Sequence, residues 1–133
     1  MNKLSALLPL ASLLLISGCS SPDDKVREAM GDINSWSATA GMAARQWRRG
    51  ATPAGYTVRT IETAQQNIQE TFQQIASIPA SRRAATDVDT IVDRIGAMKL
   101  AVERDDREEM GRLEGELARR EQRLHGDTTE SGR

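Results

Sequence analysis

Residues 21–50 read SPDDKVREAMGDINSWSATAGMAARQWRRG. Their spacing decides the fold. Ser21 has the chemistry of an N-cap, Pro22 suits a first helical position, and Asp23 and Asp24 put negative charge where the helix dipole favours it. Apolar side chains follow at Val26, Ala29, Ile33, Trp36, Ala40, Ala43 and Trp47. Steps of three and four residues place them on one stripe of a helix. Arg48, Arg49 and Gly50 then supply a basic end and a glycine stop. The stretch reads as a single amphipathic helix over about 22–49 that must bury its stripe against other elements.

Working outward, the same grammar repeats. Thr52-Pro53 is a second cap-and-proline start, followed by Val58, Ile61, Ala64 or Gln65, Ile68, Phe72 and Ile75. Pro79 closes this helix, because proline disfavours helical backbone in the residue before it. Ser81 is the expected cap of a third helix, whose stripe is Val88, Ile91, Ile95, Met98 and Val102. The stripe lapses in ERDDREE, residues 103–109, and resumes at Met110, Leu113, Leu117 and Leu124. Two readings compete there. The third helix continues as one long rod, since no Gly or Pro interrupts it and most of these residues favour helix. Alternatively the chain turns near Arg104-Asp105 and restarts with Asp106 as cap, three residues before Glu109 as in a capping box. The elements are then 22–49, 53–78, 81–104 and 106–125, with residues 127–133 a polar, disordered tail. The expected fold is all-α, a three- or four-helix up-and-down bundle over residues 19–126.

Composition sets bounds on partners. The formal net charge is −1, which gives no electrostatic footprint for nucleic acid. The aromatic residues are Trp36, Trp47, Tyr56 and Phe72, so Ala, Met, Ile and Val must build the core. The single cysteine, Cys19, excludes an intrachain disulfide.

The N-terminus, MNKLSALLPLASLLLISGC, has one early positive charge, an apolar run from Leu4 to Ile16 and then small residues. That is the layout of a secretory signal, and the run is short against the ~20 residues of a membrane span. Ile16-Ser17-Gly18-Cys19 resembles the lipobox of bacterial lipoproteins. The resemblance covers only the start of the chain. It implies cleavage before Cys19, removal of residues 1–18, and a diacylglycerol on the Cys19 thiol, with or without an N-acyl chain. A doubly or triply acylated residue anchors stably, whereas one chain anchors only marginally. Ser20 rather than Asp follows Cys19, and by the enteric sorting rule this favours the periplasmic face of the outer membrane. No other cofactor is expected.

Candidate sites beyond Cys19 are few. Trp36 and Trp47 are eleven residues apart and so nearly share a helix face. They serve either as bulky filling for an alanine-rich core, as a partner-binding patch or as anchors in the membrane interface. Arg45, Arg48 and Arg49 surround Trp47; they either contact an anionic partner or complement a helix C-terminus. Asp87, Asp89 and Asp93 do not share one face and read as a solvated surface. His125 is the only histidine and lacks companions for a metal or haem site. Gly111 and Gly115 allow close approach to the small residues of the first helix. No nucleophile, base and oxyanion donors are grouped, so an enzyme is not expected. The expected function is a membrane-anchored, non-catalytic structural or protein-interaction module of the cell envelope, meeting an envelope partner or a second copy. The alternative is a small-ligand or stress-sensing binding protein of the periplasm.

Overall fold

The structure, a computed structural model, describes residues 21–130, with side chains described to residue 120. Four helices follow one another: α1 (Pro22–Arg48), α2 (Ala54–Ile75), α3 (Arg82–Glu103) and α4 (Arg107–Glu130). No strand occurs among the described residues. The chain is an all-α bundle of four helices.

Each boundary has a local cause. The Ser21 hydroxyl accepts from the Asp24 N–H at 3.2 Å, so α1 starts with Ser21 as cap and Pro22 in its first turn. It ends in a Schellman motif: the Gly50 N–H donates to Trp47 O and the Ala51 N–H to Gln46 O, both at 2.8 Å. Gly50 has φ +76°, a conformation that glycine adopts without a Cβ penalty.

The start of α2 differs from the expectation. Pro53 is the cap residue itself, and no side chain caps the helix. The Thr57 hydroxyl donates back to Pro53 O at 3.1 Å and lies 3.1 Å from the Thr52 hydroxyl, which is thereby occupied outside the cap. α2 also stops at Ile75, short of 78, because Ile78 N–H turns back to Ile75 O and a 3₁₀ turn, Pro79–Ser81, leads straight into α3. Ser81 does not cap α3. Its own backbone is helical, and its buried hydroxyl donates to Ile78 O at 2.7 Å.

The break near residue 104 is a real turn, so α3 and α4 are separate helices. Asp106 caps α4, accepting from the Glu109 N–H at 2.9 Å. α4 runs on to Glu130, past the expected end at 125 and through part of the expected disordered tail. Gly126 does not stop it: a glycine inside a helix costs about 1 kcal/mol relative to alanine, which weakens a helix without forbidding it. Residues 131–133 lie outside the described residues.

α1 packs along α2, α2 along α3, and α4 closes the bundle against α3 and α1. Ile33, Ile61, Ile68, Ile95, Met98 and Met110 are wholly buried in one cluster. Burying a side chain of this size contributes roughly 1.5–3 kcal/mol. Ala40, Ala44 and Ala64 are also fully buried and let the helices approach closely. A smaller cluster of Val26, Ala29 and Ile75, covered by Phe72 and Ile78, seals the opposite end of α1 and α2. The close approach of α4 to α1 falls at Gly41, where a Cβ would lie 3.4 Å from Leu117 Cδ2. Gly115 has open space beside it, so the Gly111–Gly115 pair is not what brings the two helices together.

Gly31 of α1 and Gly50, just beyond its end, should respond oppositely to alanine. Gly31 sits inside the helix with nothing within 4 Å of a new Cβ, so Gly31→Ala should raise stability by up to about 1 kcal/mol. Gly50→Ala forces an L side chain into the left-handed region and should lower it by about 1–2 kcal/mol. Urea unfolding midpoints of the two variants, moving in opposite directions, check this.

Candidate interaction surface

The C-terminal end of α1 carries the residues grouped in the sequence as Arg45, Trp47, Arg48 and Arg49. Packing divides them. Trp47 is 3% exposed, and the Arg107 guanidinium lies over its ring at 4.7 Å from the centroid. Arg107 Nη1 also donates to the carbonyl oxygens of Trp47 and Arg48, each at 2.8 Å. Both are carbonyls of the last turn of α1; the Trp47 oxygen accepts from the Gly50 N–H as well. Arg48 turns to α4 and makes a two-pronged ion pair with Glu114, Nε to Oε1 at 3.1 Å and Nη2 to Oε2 at 3.0 Å. Glu114 holds the Arg48 guanidinium above its ordinary pKa. Arg45 and Arg49 remain exposed and make no ion pair among the described residues. The cluster is thus split between core, inter-helix pairing and solvent.

Trp36 has a different fate from Trp47. It is half-buried at the edge of the main cluster. Together with Tyr56, Arg59, Thr60 and Thr63 of α2 it lines an open hollow of about 190 Å³. Tyr56 is 60% exposed. The Thr60 and Thr63 hydroxyls donate to Tyr56 O at 3.0 Å and Arg59 O at 2.9 Å, so their oxygens face outward only as acceptors. Arg59 is the only ionised side chain in the lining and makes no ion pair among the described residues. Two aromatic rings beside an arginine, partly covered and partly open, are the residue types that dominate binding energy at protein interfaces. Sequence reasoning had Trp36 but not its neighbours. The available signal was Tyr56, an aromatic that stands off the Val58–Ile61 stripe of its helix.

A second open hollow, lined by Lys25, Glu28, Asp32, Thr71 and Gln74 among others, lies between α1 and α2 near the smaller apolar cluster. Its charges are mixed. Asp87 pairs with Arg120 of α4, while Asp89 and Asp93 are exposed. Among the described residues no three His, Cys, Asp or Glu side chains are grouped to hold a metal ion. His125 lies within α4, but its side chain is outside the described residues, as is Cys19. No described helix is long and apolar enough to cross a membrane. No protein-family model, curated protein or solved structure matches this chain.

Arg107→Ala removes the stacked cation and both bonds to the α1 carbonyls. Hydrogen bonds from a charged donor contribute ~1.5–3 kcal/mol, and an exposed cation–π contact about 0.5–1. Because Arg107 is half-exposed, the expected loss is about 1–2 kcal/mol. It should show in chemical denaturation, together with a red shift of the tryptophan emission as Trp47 becomes wetted.

Proposed function

We propose that this chain is a lipid-anchored protein of a bacterial cell envelope, acting as a non-catalytic module that binds another protein through the Trp36–Tyr56–Arg59 hollow. The observation that carries the reading is the junction at residues 16–24. A lipobox-like Ile16-Ser17-Gly18-Cys19 stands two residues ahead of Ser21, which caps α1. Such a join leaves almost no tether, so the bundle works close to the bilayer. Trp36 then lies about 20 Å along α1 from the anchor, at 1.5 Å per residue, where it faces a neighbouring envelope protein rather than the acyl core. Ser20 after Cys19 favours the periplasmic face of the outer membrane. The open, shallow form of the hollow suits a protruding side chain of a partner better than an enclosed small molecule.

Two measurements test this. Cys19→Ala should move the chain from the membrane to the soluble fraction; unchanged membrane association would reject the anchor. A photocrosslinking residue at Tyr56 should capture one envelope protein at a fixed ratio. That product should disappear with Arg59→Glu and be absent when the probe is placed at Arg49. Equal capture from both positions would reject the hollow as the binding face.

A further inference from the structure

The turn that joins α3 to α4, Arg104-Asp105-Asp106, closes in the same form as the end of α1. Asp105 N–H donates to Val102 O at 3.1 Å and Asp106 N–H to Ala101 O at 2.8 Å. In α1 the left-handed position of this motif is Gly50; here it is Asp105, at φ +53°, the only non-glycine residue with positive φ among the described residues. A side chain is disfavoured there, aspartate less than most because it bonds locally, whereas the helical region carries no such cost. The sequence around the turn suits that continuous helix. Glu103 and Arg107, and Arg104 and Glu108, are spaced four apart with opposite charges.

α4 is fastened to the rest of the bundle by contacts that any copy of the helix can make. Met110, Leu113 and Leu117 fill its apolar seam. Arg48–Glu114, Arg94–Glu116 and Asp87–Arg120 flank it. Straightening the turn gives up the Asp106 cap and the Arg107 bonds to α1. It releases Asp105 and adds the two charge pairs. The losses, which include the Arg107 stack on Trp47 and its 3.7 Å pair with Asp105, are confined to the hinge, while the apolar seam and the flanking ion pairs of α4 are kept in either form.

We propose that two copies of this chain exchange α4: each turn straightens, and each α4 seats in the groove between α1 and α3 of the other copy. Exchange of an identical element is a low-cost route to a symmetric dimer, because every contact except the hinge is remade. The arrangement is fixed by polarity. From Glu116 to Arg120 the partners on α3 step back from Arg94 to Asp87, so α4 runs antiparallel to α3. A straight α3–α4 rod therefore carries α4 to an inverted second body, and the two α1 N-termini lie at opposite ends of the pair. This inference does not rest on the envelope reading.

The test uses complementary charge reversal in full-length chains extracted in non-ionic detergent. One chain carries Arg48→Glu with Asp87→Arg; the other carries Glu114→Arg with Arg120→Asp. Within either chain alone, both sites set like charges against each other. Only an exchanged pair of the two restores opposite charges at all four places. Co-expressed with one chain tagged, the complementary combination should recover the untagged chain about fivefold better than either variant with itself, as expected for ~1 kcal/mol of restored pairing. In the chain with native charges, Asp105→Gly should lower the dimer fraction seen by light scattering, and Asp105→Ala should raise it. Equal recovery from all combinations, or a dimer fraction indifferent to residue 105, would overturn the proposal. The Asp105 pair keeps the test decisive if the charge-reversed chains fail to fold.

Discussion

Arg107 is the contact on which the closed bundle depends. It is the first residue of α4, where a positive charge opposes the dipole of its own helix. It is also at the C-terminal end of α1, where the same charge is favoured. The two dipole effects are each ~0.3–1 kcal/mol and largely offset one another. What remains is the pair of 2.8 Å bonds to the Trp47 and Arg48 carbonyls and the stack over the Trp47 ring. Through them one side chain closes over the end of α1, covers the largest buried aromatic and sets the point at which α4 begins its return. The Arg48–Glu114 pair and the seat of Leu117 over Gly41 both lie further along the line that this contact starts.

A chain with so few aromatic residues has little choice about where to put them. Trp47 goes inward under Arg107, while Phe72 is half-buried against the Val26–Ala29–Ile75 cluster. Trp36 lies at the margin of the main cluster, and Tyr56 is the most exposed of the large apolar side chains. A core of isoleucine, methionine and alanine closes without either of them being fully covered. Leaving Tyr56 exposed gains no stability from burial, so aromatic surface stays uncovered on the α1–α2 face.

The helical pattern was legible because it is local. Three-four spacing predicted every stripe, and the residues named for it supply the buried isoleucines, Met98 and the Met110–Leu113–Leu117 seam. Arg48, Arg49 and Gly50 together announced the end of α1. The end of α3 was left open because the same motif is built there with aspartate, which tolerates positive φ but does not demand it as a glycine stop does. Thr52 and Ser81 misled for a related reason. A serine or threonine before a helix is free to cap it or to bond backward, and the backbone conformation at the junction decides which. The hollow was least legible. Trp36 and Arg59 belong to different helices, and their meeting depends on the register of α1 against α2, which no single stripe specifies.

These two features bear on each other through their placement. The hollow is lined by α1 and α2 alone, while α4 is held by α1 and α3. Straightening the turn at Asp105 therefore moves a quarter of the bundle without touching a residue of the hollow. The α1–α2 pair, which shares the most extensive helix interface and its own second apolar cluster, stays intact in either form. A partner seated on Trp36 and Tyr56 would bind the closed and the exchanged forms with the same contacts. It has no differential affinity with which to bias the turn. Whatever sets the position of α4 must act on the hinge, at Asp105, the Asp106 cap or the Arg107 bonds to α1, because only there do the two forms differ.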